Sequence, residues 1–163
     1  MLKALIFDWG DTLMRDFPDK TGPMADWDTV EWIPGAEEAL IKLSEEFICC
    51  IATGAGLSDT ALMIKALKRV GADKYFTYFF SAKDIGFDKP DVNYFTTISK
   101  RINVKPGNCM FIGNDYEKDI CGARAAGMKT IFFNEKCKPV PFPDAHYVIN
   151  SINEVQIIID MVK

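Results

Sequence analysis

The sequence predicts a three-layer α/β sandwich built on a doubly wound, Rossmann-like parallel sheet, and three observations carry that expectation. Short apolar bursts alternate with helical patterns along almost the whole chain. The bursts are apolar on both faces, as strands of a sheet covered on both sides must be. At 163 residues, 48% of them hydrophobic, the chain suits one compact domain over residues 1–163 with a substantial core.

The first burst, residues 2–7, precedes a long aperiodic stretch, residues 9–33, before Pro34 and Gly35 open a helix over 36–46. A second burst over 47–52 leads to a helix over 58–70, with Ser58 as N-cap and Gly71 beyond its end. The third burst, 78–80, is followed by a helix over 92–102, with Pro90 suited to its first turn. Next come a burst at 109–112, a helix over 117–126 closed by Gly127, and a burst at 128–133. A second aperiodic stretch, 134–145, precedes a short burst at 147–149 and a closing helix over 152–161. Aperiodic stretches of this length in a compact domain are usually functional or mobile.

Composition excludes several function classes. With 19 basic against 23 acidic residues the net charge is -4, without the basic patch that a nucleic-acid backbone requires. The N-terminus reaches Asp8 after only four consecutive apolar residues, Ala4 to Phe7, too few for a signal peptide. No run approaches the ~20 apolar residues of a membrane span. The five cysteines form no Cys-x-x-Cys pair, and the only histidine, His146, lies nine positions from the nearest, Cys137, so a zinc site lacks ligands. An odd cysteine count without a signal peptide points to the cytoplasm. Cys49 and Cys50 read as core residues; Cys137, between Lys136 and Lys138, reads as an exposed loop thiol with cations that favour thiolate.

In an open parallel sheet, ligands bind beyond the carboxyl ends of the strands. Asp8, Gly10 and Asp11 follow the first strand, Thr53 and Gly54 the second, and Asn114 and Asp115 the fourth, with Asp119 a helical turn later. Lys89 precedes the third long helix. These residue types suit phosphoryl transfer: a carboxylate attacks phosphorus to form an acyl phosphate that water later hydrolyses. Acidic groups on neighbouring strands can hold one Mg²⁺, while lysine and hydroxyl neutralise and orient the phosphate oxygens.

Four segments in order, Ile6-Phe7-Asp8-Trp9-Gly10-Asp11-Thr12-Leu13, Ile51-Ala52-Thr53-Gly54, Phe87-Asp88-Lys89-Pro90-Asp91 and Phe111 through Asp119, resemble the four motifs of the haloacid dehalogenase-like superfamily. The resemblance runs from Leu2 to about Ile152. It implies a phosphohydrolase with Asp8 as nucleophile and with Thr53, Gly54 and Lys89 around the phosphate. It also implies Mg²⁺ held by Asp8, the carbonyl of Gly10 and the fourth motif, with Asp119 behind these ligands. Catalytically weakened phosphate binding and the superfamily's dehalogenase chemistry are the alternatives it leaves open.

Two departures stand out. The superfamily's phosphatases usually carry a second aspartate two residues after the nucleophile, as general acid and base, and here Gly10 stands there. Asp11 is the nearest substitute, one position on, where an extended segment would point it away. In the fourth motif, spacing to Asp119 favours Asn114 as metal ligand and charge favours Asp115.

Thr53 follows Asp8 by 45 positions and Lys89 follows Thr53 by 36, each interval partly used by a helix and a strand. Neither interval holds a cap domain, which would need about 50 residues of its own. The site is therefore expected to be open, covered at most by a flap formed from residues 9–33. That flap is acidic and carries Trp27 and Trp32, which are expected to pack on the sheet rather than on a ligand. Gly54-Ala55-Gly56 hints at a dinucleotide turn but lacks the third glycine. The expected substrate is a phosphorylated small molecule or an accessible protein phosphoresidue.

Overall fold

The computed structural model describes residues 1–54, 58–139 and 141–163. Six strands form one sheet: β1 Ala4–Phe7, β2 Ile48–Thr53, β3 Tyr78–Ser81, β4 Cys109–Gly113, β5 Lys129–Phe133 and β6 Tyr147–Ile149. Their order is β3-β2-β1-β4-β5-β6, and every pairing is parallel. Among the described residues the α-helices are α1 Ala36–Glu46, α2 Thr60–Lys68, α3 Ala82–Ile85, α4 Val92–Arg101, α5 Gly122–Ala125 and α6 Glu154–Val162.

Strand alternation divides the interior into two clusters, one on each face of the sheet. Leu5, Phe7, Cys49, Ile51, Met110 and Ile112 join Leu40 of α1, Met63 of α2 and Ile159 of α6. Their neighbours Ile6, Cys50, Ala52 and Phe111 join Phe95 and Ile98 of α4 and Ala123 of α5 on the opposite face. This is the doubly wound, three-layer arrangement, and the described residues form no separate cap domain. No helix among them is long and apolar enough to cross a membrane.

Helix starts differ locally from the sequence expectations. The N-cap of α2 is Asp59, whose side chain accepts from Leu62 N at 3.0 Å, because Ser58 is buried one residue too early. The cap of α4 is Asp91, accepting from Asn93 N at 2.8 Å, which leaves Pro90 just outside the helix. The fourth expected helix begins as a wide π-type turn, Tyr116–Cys121, before continuing as α5.

The 9–33 segment is tied down by backbone pairing. Met14 bridges Trp32, Arg15 N donates to Glu31 O at 2.8 Å, and Ile33 N donates to Leu13 O at 2.8 Å. A 3₁₀ turn, Met24–Asp26, rests against α2, where Lys65 reaches Asp26 at 2.8 Å. Trp27 and Trp32 pack against the larger hydrophobic cluster.

Candidate active site

The sheet order reverses between β1 and β4, and the chain leaving these two strands builds the site. Asp8 follows β1 directly, its backbone N donating to Ile112 O of β4 at 2.9 Å. Beyond it the chain folds back sharply: Leu13 N and Met14 N both reach Trp9 O, and Asp11 takes a positive φ of 53°. This turn returns Thr12 to Asp8, where its hydroxyl lies 3.1 Å from Asp8 Oδ2 and 3.2 Å from Asn114 Oδ1.

Lys89 approaches from the other side. Its ammonium donates to Asp8 Oδ1 at 2.6 Å, Asp119 Oδ1 at 2.7 Å and Ala52 O at 3.2 Å, which occupies all three protons. Burial alone would disfavour this charge, but the carboxylates of Asp119 and Asp8 outweigh it and hold the pKa above the ordinary lysine value. Asp119 is itself sealed in, with 1% of its surface exposed, and its Oδ2 accepts from Asp115 N at 3.0 Å. Burial, then repulsion by Asp8, pushes its carboxyl up against the opposing pull of Lys89.

Thr53 ends β2 almost fully buried, and its carbonyl accepts from the Tyr94 hydroxyl at 3.0 Å. Gly54 follows it at a tight spot: a Cβ there would lie 2.8 Å from Asp88 Oδ1 and 3.4 Å from Lys89 Cε. The rest of the glycine-containing turn, Ala55 and Gly56, lies outside the described residues.

Asn114 and Asp115 part company. The Asn114 side-chain oxygen faces Asp8 across the shared Thr12 hydroxyl. The Asp115 carboxylate turns back to accept from Lys118 N at 3.1 Å, capping the turn that carries Asp119.

Asp8, Thr53, Gly54, Lys89, Asn114 and Asp119 thus meet at one cavity of about 280 Å³. Asp11 also lines it, but its Oδ1 accepts from Asp16 N at 3.0 Å and from Arg15 at 3.4 Å. Three further lining residues were not singled out as site residues from sequence: Asp16, Asp88 and Lys118. Lys118 had a local signal, standing immediately before Asp119. Asp16 had none, because its place depends on the turn at Asp11. Its carboxyl is pushed above the ordinary carboxylate range by partial loss of water contact, then by the charges of Asp11 and Asp8. A second cavity of about 440 Å³ continues past Asp11, Asn114 and Asp115 toward Tyr116, Phe142 and Lys138.

The sequence model of the family described as haloacid dehalogenase-like hydrolase matches residues 9–133. The ribulose-1,5-bisphosphate 5-phosphatase of Halopiger xanaduensis is 31% identical over 102 residues, which is 63% of this chain and 42% of that protein. The glyceraldehyde 3-phosphate phosphatase of Methanothermobacter thermautotrophicus is 26% identical over 124 residues, 76% of this chain and 47% of that protein. The chain therefore spans about half the length of these curated relatives. Among solved structures, YfnB of Bacillus subtilis bound to magnesium shares the fold with a TM-score of 0.81. That match has 20% identity and covers 98% of this chain and 99% of that one.

Proposed function

Because the chain belongs to the haloacid dehalogenase-like hydrolases, we propose that it is a phosphomonoester hydrolase working through a phosphorylated Asp8. The observation that carries this reading is the Asp8 carboxylate at the cavity floor, one oxygen bound by buried Lys89 and the other beside the Thr12 hydroxyl. An Asp8 oxygen bonds to phosphorus as the ester oxygen leaves, and water then breaks the acyl phosphate. Lys89 balances charge on the phosphoryl oxygens and on Asp8, and Thr53 and Gly54 bound the same space. Asp119 holds Lys89 in place from behind.

Among the described residues, no three histidine, cysteine, aspartate or glutamate side chains converge as a metal cluster. One carboxylate with neutral oxygen donors fits Mg²⁺, which is commonly held by one or two carboxylates plus water. Asp8, the Gly10 carbonyl and Asn114 Oδ1 would hold it, Asn114 rather than Asp115 because only the former shares a hydroxyl with Asp8. When bound, the ion supplies positive charge next to the phosphoryl oxygens. The magnesium in the YfnB structure and the phosphorylated small molecules named for the two relatives support both parts of this reading.

A phosphorylated small molecule is the favoured substrate, its remainder resting in the second cavity. The polar, open setting of Asp8 disfavours a small apolar haloacid. All five cysteines are unpaired, which suits a reducing cytoplasm. Turnover of p-nitrophenyl phosphate and a panel of sugar phosphates, with and without Mg²⁺, tests the proposal. Metal-dependent phosphate release that disappears in Asp8→Asn supports it; release unaffected by that substitution removes Asp8 from the chemistry, and no turnover leaves only phosphate binding.

A further inference from the structure

Transfer of phosphorus to Asp8 expels an oxygen that needs a proton, and hydrolysis of the acyl phosphate takes a proton from water. Neither proton can come from the floor of the cavity. Lys89 uses all three of its own on fixed acceptors, and Asp119 is sealed beneath it. The carboxylates around the mouth are mostly committed as well. Asp11 accepts from Asp16 N and Arg15, Asp88 accepts from Lys89 N at 2.8 Å, and Asp115 accepts from Lys118 N.

Asp16 is different. It lines the same cavity as Asp8, and among the described residues its carboxylate has no hydrogen-bond or ion-pair partner. Its position follows from the turn after β1. A Cβ built on Gly10 would point straight at it, 3.6 Å from both Asp16 Cβ and Asp16 Oδ2. The Asp16 carboxylate therefore stands where a side chain on residue 10 would project, two residues past Asp8.

Its backbone is fixed on both sides. The positive φ at Asp11 turns that residue's carboxylate onto Asp16 N at 3.0 Å. The preceding residue, Arg15, donates through its backbone to Glu31 O and through its guanidinium to both carboxylate oxygens of Glu135, each at 2.8 Å.

Building on the phosphatase reading, we propose that Asp16 is the catalytic acid and base, delivered by the 9–33 segment into the space that Gly10 leaves open. In the first step the Asp8 oxygen–phosphorus bond forms and the phosphorus–ester oxygen bond breaks, while the Asp16 carboxyl proton passes to that ester oxygen. In the second, the water oxygen bonds to phosphorus and the phosphorus–Asp8 oxygen bond breaks, while the Asp16 carboxylate takes the water proton. Both carboxyl groups return to their starting states. Asp11 is the positioning residue, acting through Asp16 N.

The test compares wild type, Asp16→Asn and Asp16→Ala in the full chain with Mg²⁺, using glycerol 2-phosphate and p-nitrophenyl phosphate. Thermal melting checks that the variants fold, as expected for an exposed side chain without partners. Alkyl ester turnover should fall by roughly 10²–10⁴-fold. The aryl ester, whose leaving group needs no proton, should lose far less in the first step and show a burst of nitrophenolate as phosphoenzyme accumulates. A merely structural role would slow both esters alike and give no burst. Placing the carboxylate directly on residue 10, Gly10→Asp combined with Asp16→Ala, should recover alkyl turnover. An active wild type whose aryl-to-alkyl ratio of kcat/KM is unchanged by Asp16→Asn overturns the assignment of Asp16 alone. A wild type that hydrolyses neither ester and forms no phosphoenzyme overturns the phosphatase reading and this inference with it.

Discussion

Lys89 places each ammonium proton on a fixed acceptor, and two of those acceptors are carboxylates that share its burial. Removing one member of such a set strands the others without compensation, at a cost of about 3–5 kcal/mol. Lys89→Met should therefore lose stability of that order in urea unfolding with EDTA present, as well as activity. An unchanged unfolding midpoint would show that Asp8 and Asp119 do not depend on it. At this scale the sequence was readable wherever chemistry directly follows a strand. Asp8, Thr53 and Asn114 leave β1, β2 and β4 within one residue, so topology alone brings them to one edge. Asp16 was unreadable because a non-glycine residue with positive φ, Asp11, redirects the chain, and no periodicity announces such a bend.

Elements hold these groups at short range, and glycines mark where the margin is smallest. A Cβ on Gly113, the last residue of β4, would fall 2.3 Å from Asp119 Oδ2 and 2.6 Å from Asp119 Cβ. Gly113→Ala should displace Asp119 from Lys89, lowering turnover by at least about tenfold and stability by roughly 1–3 kcal/mol, as overpacking does. Wild-type kinetics in that variant would mean that Asp119 can move without consequence. At the start of α4, Asp91→Ala removes the side-chain acceptor for Asn93 N and should cost about 1 kcal/mol in thermal unfolding. The bounds of α1 and β6 are those expected from apolar spacing. Caps were harder to place, since the choice between Ser58 and Asp59, or between Pro90 and Asp91, depends on which side chain reaches a free N–H in three dimensions. The π-type turn at Tyr116–Cys121 was likewise hidden, because its side-chain pattern differs little from that of an ordinary helix.

For the molecule as a whole, the alternating direction of successive side chains along each strand sets which residues face which helix layer, and so where the two hydrophobic clusters lie. Burial across those layers also sorts the thiols. Burial raises Cys49 to about 12, and it is the leading cause that raises Cys109 and Cys121 to about 11, whereas Cys137 is exposed. A native thiol titration near neutral pH should therefore show one fast-reacting cysteine, Cys137, and all five only after denaturation. Fast reaction at several sites would contradict the packing of both clusters. The chain segments leaving β1 and β4 meet Lys89 through two carboxylates, Asp8 and Asp119, and the proposed chemistry has Asp8 carry the phosphoryl group. Acid quenching of the enzyme during turnover of a radiolabelled phosphomonoester, followed by peptide mapping, examines this directly. Label on the peptide containing Asp8, absent in Asp8→Asn and enriched in Asp16→Asn, is the expected result; turnover with no label on Asp8 at any quench time, in wild type or in Asp16→Asn, would contradict it.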